Sequence, residues 1–168
     1  MVGTRPILER QLSLLRSLTS HILIVGSERS EVQSGGIPVA VDRIPGAGSL
    51  GGLYTALMEA PTEQVLVIAC DMPFLNAPFL TYLMERGRDA DAAVPCDARG
   101  LHPLCASYTR RIAGHLHRQI AAGRLRISDA LVDLAVQEIG PDELAPFDRD
   151  GRLLCNVNTP EDYDLARA

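Results

Sequence analysis

Nowhere in this chain do lysine and arginine gather, and that removes a first class of partners. The 16 basic and 21 acidic residues are interspersed over 168 positions, for a formal net charge of -5. Without a basic run, tail or stripe there is no electrostatic footprint for nucleic acid. Long apolar runs are missing too, as is a charged-then-apolar leader after Met1. Neither a membrane span nor export is expected, and the protein reads as cytoplasmic. The four cysteines (Cys70, Cys96, Cys105, Cys155) never form a Cys-x-x-Cys pair. Each lies in or beside an apolar run, so they read as small core residues, not as disulfides or a zinc site. No Ser-His-Asp order or Cys-His pairing favours a hydrolase. Repeats, low-complexity stretches and linkers are absent as well. The length suits one domain, residues 1–168, with a full core.

What is present is an alternation of two periodicities. Ile7 to Leu18 places leucine at positions 8, 12, 15 and 18, the spacing of one helix face. A β-branched run follows from His21 to Val25, and a second strand is expected at Ile37 to Val41. Gly48 to Ala60 reads as a glycine-rich entry into a helix. Val65 to Ala69 is continuously apolar, as a strand covered on both faces should be. Ala77 to Arg86 is helical, with Pro78 in its first turn. Shorter strands are expected at Ala92 to Pro95, Leu104 to Ser107 and Arg152 to Cys155. Helices are expected at Arg110 to Ala122 and at Ser128 to Leu134, the latter capped by Ser128. Thr159-Pro160-Glu161-Asp162 opens a last helix, with a cap, a proline and acids in order. Strands alternating with long helices imply an α/β domain with a largely parallel sheet flanked by helices.

In such sheets, ligands bind beyond the carboxyl ends of the strands. Asp42 follows the second strand, Asp71 follows VLVIAC, and Asn156 and Asn158 follow the last one. A strand-end carboxylate suits Mg²⁺, which takes one or two carboxylates plus phosphate oxygens. The plainer role for any one of these residues is a turn or a cap. Asp71 differs because Pro73 follows closely and restricts where its carboxylate points. The run Gly46-Ala47-Gly48-Ser49-Leu50-Gly51-Gly52 lets backbone approach a ligand at a helix N-terminus, or is simply a flexible loop. His102, beside Pro103, is more simply structural. Arg124 and Arg126 suit an anionic substrate or, more commonly, a solvated face.

Taken in order, these motifs resemble the molybdenum cofactor guanylyltransferases, among the wider nucleotide-sugar-type transferases. RPILERQLSLL resembles that family's first helix, and Val41-Asp42 its strand-end acid. GSLGGL resembles its G-P-L-A-G-L, CDMPFL its metal loop, HPLCASY its H-P-L-x-A-x-Y strand and NVNTPEDY its C-terminal motif. The resemblance implies a Rossmann-like nucleotidyltransferase fold and transfer of GMP from GTP to molybdopterin, with release of pyrophosphate. It implies Asp71 as the catalytic Mg²⁺ ligand, with Asn158 as a second metal contact. Asp42, Asp71, Gly48, Leu50 and Gly51 would border the GTP. Molybdoenzymes or their chaperones would be partners.

Three departures accompany the resemblance. The family's opening strand and its L-A-G-G-x-S-x-R-M-G loop would lie upstream of Met1, so a first strand is expected to be missing. Val25-Gly26-Ser27 stands where the family often has asparagine, and the arginines around GRLRIS are patterned differently. A cytidylyl- or sugar-phosphate-transferring relative, and a non-catalytic nucleotide-binding remnant, are the alternative readings.

Overall fold

A computed structural model describes residues 7–26 and 36–157. Helix α1 (Ile7–Arg16) leads into strand β1 (Ile24–Gly26). Next come β2 (Val39–Val41), α2 (Gly48–Glu59), β3 (Gln64–Ile68), α3 (Ala77–Arg86) and β4 (Ala92–Asp97). A short β5 (Gly100–Leu101) and β6 (Cys105–Thr109) follow. A 3-10 turn (Arg110–Ile112) then runs into α4 (Ala113–Ala121), α5 (Ile127–Leu131), β7 (Val136–Ile139) and α6 (Pro141–Leu144).

The strands form a parallel β1–β2 pair and a five-stranded sheet ordered β3-β6-β4, with β5 and β7 both on β4. That larger sheet is mixed. Strand β6 runs antiparallel to both β3 and β4, whereas β7 runs parallel to β4. The reason lies in chain length: only the short β5 excursion separates β4 from β6, and a parallel crossover needs a dozen residues or more. A largely parallel expectation holds for β3, β4 and β7, and fails for the inserted β6.

Side chains alternate across this sheet into two cores. Val65 and Val67 of β3, Ala92 and Val94 of β4, and Ala106 and Tyr108 of β6 join Leu50, Leu53 and Leu57 of α2 and Leu116 of α4. On the opposite face, Leu66, Ile68, Ala93 and Cys105 meet Phe79, Leu80 and Leu83 of α3. Strand β3 therefore packs on both faces, as its unbroken apolar run requires. Its residues nevertheless keep intermediate exposure, because its second edge pairs with no described strand.

Helix α3 begins as its sequence dictates. The Asn76 side chain accepts from the Phe79 N–H at 3.0 Å, and proline stands in the first turn. Other expectations need correcting. Residues 152–155 form a turn rather than a strand, with the Cys155 N–H donating to the Arg152 carbonyl at 2.9 Å. Leu153 and Leu154 both sink into the second core, and consecutive residues of a strand would face opposite ways. Ser128 lies inside α5, whose cap position is Arg126, so it does not cap that helix. Of the cysteines, only Cys105 is buried and Cys70 is exposed; all four are free. The helix expected from Thr159 lies outside the described residues.

Candidate active site

The site begins at the end of β3. Hydrogen bonding continues one residue past the strand, from the Ala69 N–H to the Leu104 carbonyl at 2.7 Å, and the chain then turns through Cys70, Asp71 and Met72. Asp71 is held from two sides. The Asn156 amide donates to its Oδ2 at 3.0 Å, and the Val157 N–H donates to its carbonyl at 2.8 Å. Its other carboxylate oxygen, Oδ1, is buried and has no hydrogen-bond partner among the described residues. A buried acceptor without a donor is costly, and a divalent cation is one group that relieves it.

Asp71 therefore fits a metal that takes a single protein carboxylate and completes its shell with substrate oxygens and water. Among the described residues, no three His, Cys, Asp or Glu side chains gather as a self-sufficient cage. Asn158 lies outside the described residues; Asn156, two positions earlier, donates to Asp71.

Motif reading missed a third support. Gln11 sits on the buried face of α1 and is only 4 % exposed. Its Nε2 donates to the Ala69 carbonyl at 2.7 Å and the Met72 carbonyl at 3.1 Å, one on each side of Asp71. The available signal was a polar residue beside Leu12 on an otherwise apolar helix face.

Asp42 ends β2 and secures the entry to α2. Its Oδ1 accepts from Thr55 Oγ1 at 2.9 Å and from the Ile44 N–H at 3.2 Å, while the Arg43 N–H donates to Thr55 Oγ1 at 2.9 Å. This turn-holding role is the plain one expected of a strand-end aspartate, and it leaves Oδ2 without a described hydrogen bond. Gly48 starts α2 at φ +58°, a conformation that favours glycine. A side chain on Gly51 would press on Ala47, Asp42 and the Ile44 carbonyl. Leu50 is fully buried, backbone included, and Gly51 is buried beside it, so Gly48 and Ser49 are the exposed residues of this helix entry.

A cavity of about 710 Å³ joins these parts, with Ser49 of α2 lining it together with Met72 and Asn156 from the Asp71 region. Arg99, His102 and Arg126 line it as well, and no described carboxylate does. Arg99 and His102 are organised by Asp97. Arg99 donates to Asp97 Oδ2 through Nε at 3.1 Å and Nη2 at 2.8 Å, and Nη2 reaches the Leu154 carbonyl at 3.2 Å. His102 Nε2 lies 2.9 Å from Asp97 Oδ1, a charge contact that lacks the angle of a directed hydrogen bond. Burial works to raise the Asp97 carboxyl, but Arg99 and His102 outweigh it and hold it well below the usual carboxylate range. His102 thus sits in the cavity wall, beyond the structural role its sequence context suggested. Arg124 instead turns to Gln119.

Ligands of open α/β sheets collect at such strand ends, and proteins sharing this fold place it in the Rossmann-like nucleotidyltransferase class. Residues 1–134 match the MobA-like NTP transferase domain, and the chain belongs to that family of nucleotidyltransferases. A probable molybdenum cofactor guanylyltransferase from Carboxydothermus hydrogenoformans is 32% identical over 163 residues, covering 97% of this chain and 82% of that protein. Among solved structures, the Archaeoglobus fulgidus molybdopterin-guanine dinucleotide biosynthesis protein A is 26% identical with a TM-score of 0.82. That match covers 99% of this chain and 86% of the other. A Mycobacterium tuberculosis protein solved in complex with manganese shares the fold at 19% identity and a TM-score of 0.69, over 99% of this chain and 89% of that one. No helix among the described residues is long and apolar enough to cross a membrane.

Proposed function

We propose that this chain, as a single nucleotidyltransferase domain, transfers GMP from GTP to the terminal phosphate of molybdopterin. An acceptor phosphate oxygen bonds to the α-phosphorus, the bond from that phosphorus to the bridging oxygen breaks, and pyrophosphate leaves. The observation that carries the reading is Asp71, whose buried and unpartnered Oδ1 lies in the turn that borders the cation-lined cavity. Relatives named as molybdenum cofactor guanylyltransferases supply the choice of substrates.

Bound Mg²⁺ would supply Lewis acidity and neutralise phosphate charge. Asp71 Oδ1 would hold it, with Asn158 as a second contact. Asn156 fixes the orientation of the Asp71 carboxylate through Oδ2. Asp42 has Oδ2 to offer to the N–H groups of guanine, and the helix entry carrying Gly48, Leu50 and Gly51 would border the base, with Gly48 as its exposed member. Arg99, Arg126 and His102, which line the cavity, suit the anionic acceptor. The protein's part is positioning and charge complementarity, so no nucleophilic side chain is required. Product would pass to a molybdoenzyme or its chaperone.

Incubation with molybdopterin, Mg²⁺ and GTP labelled at the α-phosphorus tests this directly. Label should enter the pterin product with the native chain and fall at least about a hundredfold with Asp71→Asn. Undiminished transfer by Asp71→Asn would overturn the assignment, and equal displacement of GTP by CTP and GDP would overturn the choice of base.

A further inference from the structure

The Asp71 turn is bonded on both sides by a buried side chain from the first helix. Gln11 comes from α1, far away in sequence, yet its side-chain amide clamps the two carbonyls that flank the Cys70–Asp71 corner. Both partners are acceptors, so the amide nitrogen must face them. The side chain that makes these bonds is only 4 % exposed. Leu12 beside it is buried, and Leu14 and Leu15 pack on the second core, so α1 offers the amide from an anchored helix. The Asp71 carboxylate meanwhile has one oxygen tied to Asn156 and the other without a partner among the described residues. Which way the free oxygen faces depends on the backbone that Gln11 holds.

We propose that Gln11 is a positioning residue for the metal-binding carboxylate. It fixes the turn so that Asn156 takes Oδ2 and leaves Oδ1 to the cation. This rests on the reading that Asp71 holds the ion. A structural role for Gln11, satisfying two buried carbonyls, exists alongside and would lower the melting temperature without acting on the ion.

The test is Mn²⁺ binding, followed by the electron paramagnetic resonance of the free ion, in the presence of GTP and well below the melting temperature. Gln11→Leu and Gln11→Met both remove the donor while keeping an apolar side chain of similar size, so either suffices if the other folds poorly. Leu116→Ala, in the core on the opposite face of the sheet, serves as a destabilised control. Supporting-shell changes at metal sites typically cost about 10–100-fold in affinity, so Mn²⁺ should bind roughly tenfold more weakly in the Gln11 variants. Leu116→Ala should leave binding unchanged. Adding Gln11→Leu to Asp71→Asn should cost nothing further, because the effect runs through that carboxylate.

Native-like Mn²⁺ affinity in a folded Gln11 variant, or an equal loss in Leu116→Ala, overturns the proposal alone. Native-like affinity in Asp71→Asn overturns the underlying reading and this proposal with it.

Discussion

Two adjacent glycines in α2 should respond oppositely to the same methyl group. Gly51 and Gly52 both lie inside the helix, where replacing glycine by alanine contributes about 1 kcal/mol of helix propensity. At Gly52 a Cβ meets nothing within 4 Å among the described residues, so the gain is kept. At Gly51 a Cβ would lie 2.9 Å from the Ala47 Cβ and 3.1 Å from both Asp42 Oδ2 and the Ile44 carbonyl. Carbon atoms settle at about 3.5–4.0 Å, so the Ala47 contact is short by roughly 0.6 Å or more. Overpacking of that kind costs about 1–3 kcal/mol. Set against the propensity gain, Gly51→Ala should lose roughly 1 kcal/mol while Gly52→Ala gains about as much. For a chain of this size, 1 kcal/mol shifts the melting temperature by about 2–4 °C. Circular dichroism melts should therefore place Gly52→Ala a few degrees above the native protein and Gly51→Ala a few degrees below. The relief of the Gly51 clash falls on Asp42 and the 42–47 loop, so only that variant should also bind GTP more weakly. Two melts that move in the same direction, or a Gly51→Ala protein with native GTP affinity, would refute this account of the α2 entry.

Thiol labelling should separate the cysteines, because Cys70 is exposed while burial pushes the Cys105 thiol up to about 12. A chromogenic disulfide reagent should modify Cys70 in the native protein and reach Cys105 only on unfolding; prompt labelling of Cys105 would show that the core is open there. In acid, Asp91 and Asp97 should matter. Hydrogen bonds from Arg111 and the Ala135 N–H lower Asp91, and Arg99 and His102 lower Asp97 against its burial. Both folded values lie below the ordinary carboxylate value of about 3.9. Their contribution is thus fully present above about pH 4 and lost as pH falls toward the folded values. Asp91→Asn and Asp97→Asn should lose less melting temperature on acidification than the native protein, and acid limbs parallel to the native one would count against both pairs. Phe79 is fully buried in the second core, so Phe79→Ala should cost about 3–5 kcal/mol in denaturant unfolding; a loss under about 1 kcal/mol would contradict that packing.

The sequence was most legible where periodicity ran long. The leucine spacing of α1, the glycine entry of α2 and the unbroken apolar run of β3 each gave an element within a few residues of its observed bounds. It misled where short segments compete. Arg152 to Cys155 has the apolar content of a strand, but its paired leucines serve one core from a turn. Strand β7 escaped notice because Val136-Gln137-Glu138-Ile139 places two polar residues between its apolar ends, and its pairing with β4 decides its state. The antiparallel insertion of β6 was written in the brevity of the β4-to-β6 connection, a spacing that element types alone do not express.

The candidate site divides along the same line, between what one segment specifies and what several segments must meet to make. Asp42 and Asp71 are marked locally, each by its place after an apolar strand, and Asp71 also by the proline that follows. Nothing local marks which oxygen of Asp71 is free. That depends on Asn156, which is 85 residues away, and on Gln11, whose partners at Ala69 and Met72 lie 58 and 61 residues away. Likewise Asp97, Arg99 and His102 look like ordinary hairpin residues until the turn at residues 152–155 brings the Leu154 carbonyl to Arg99. That contact helps join the cavity wall to the segment carrying Asn156, which itself lines the cavity and bonds to Asp71. Long-range bonds of this kind exist only where packing brings distant segments together, as α1 and the 152–157 segment meet the end of β3. A motif can therefore name the carboxylate proposed to hold the metal, while the residues that support its turn are found only through the packing of α1 and the 152–157 segment around the end of β3.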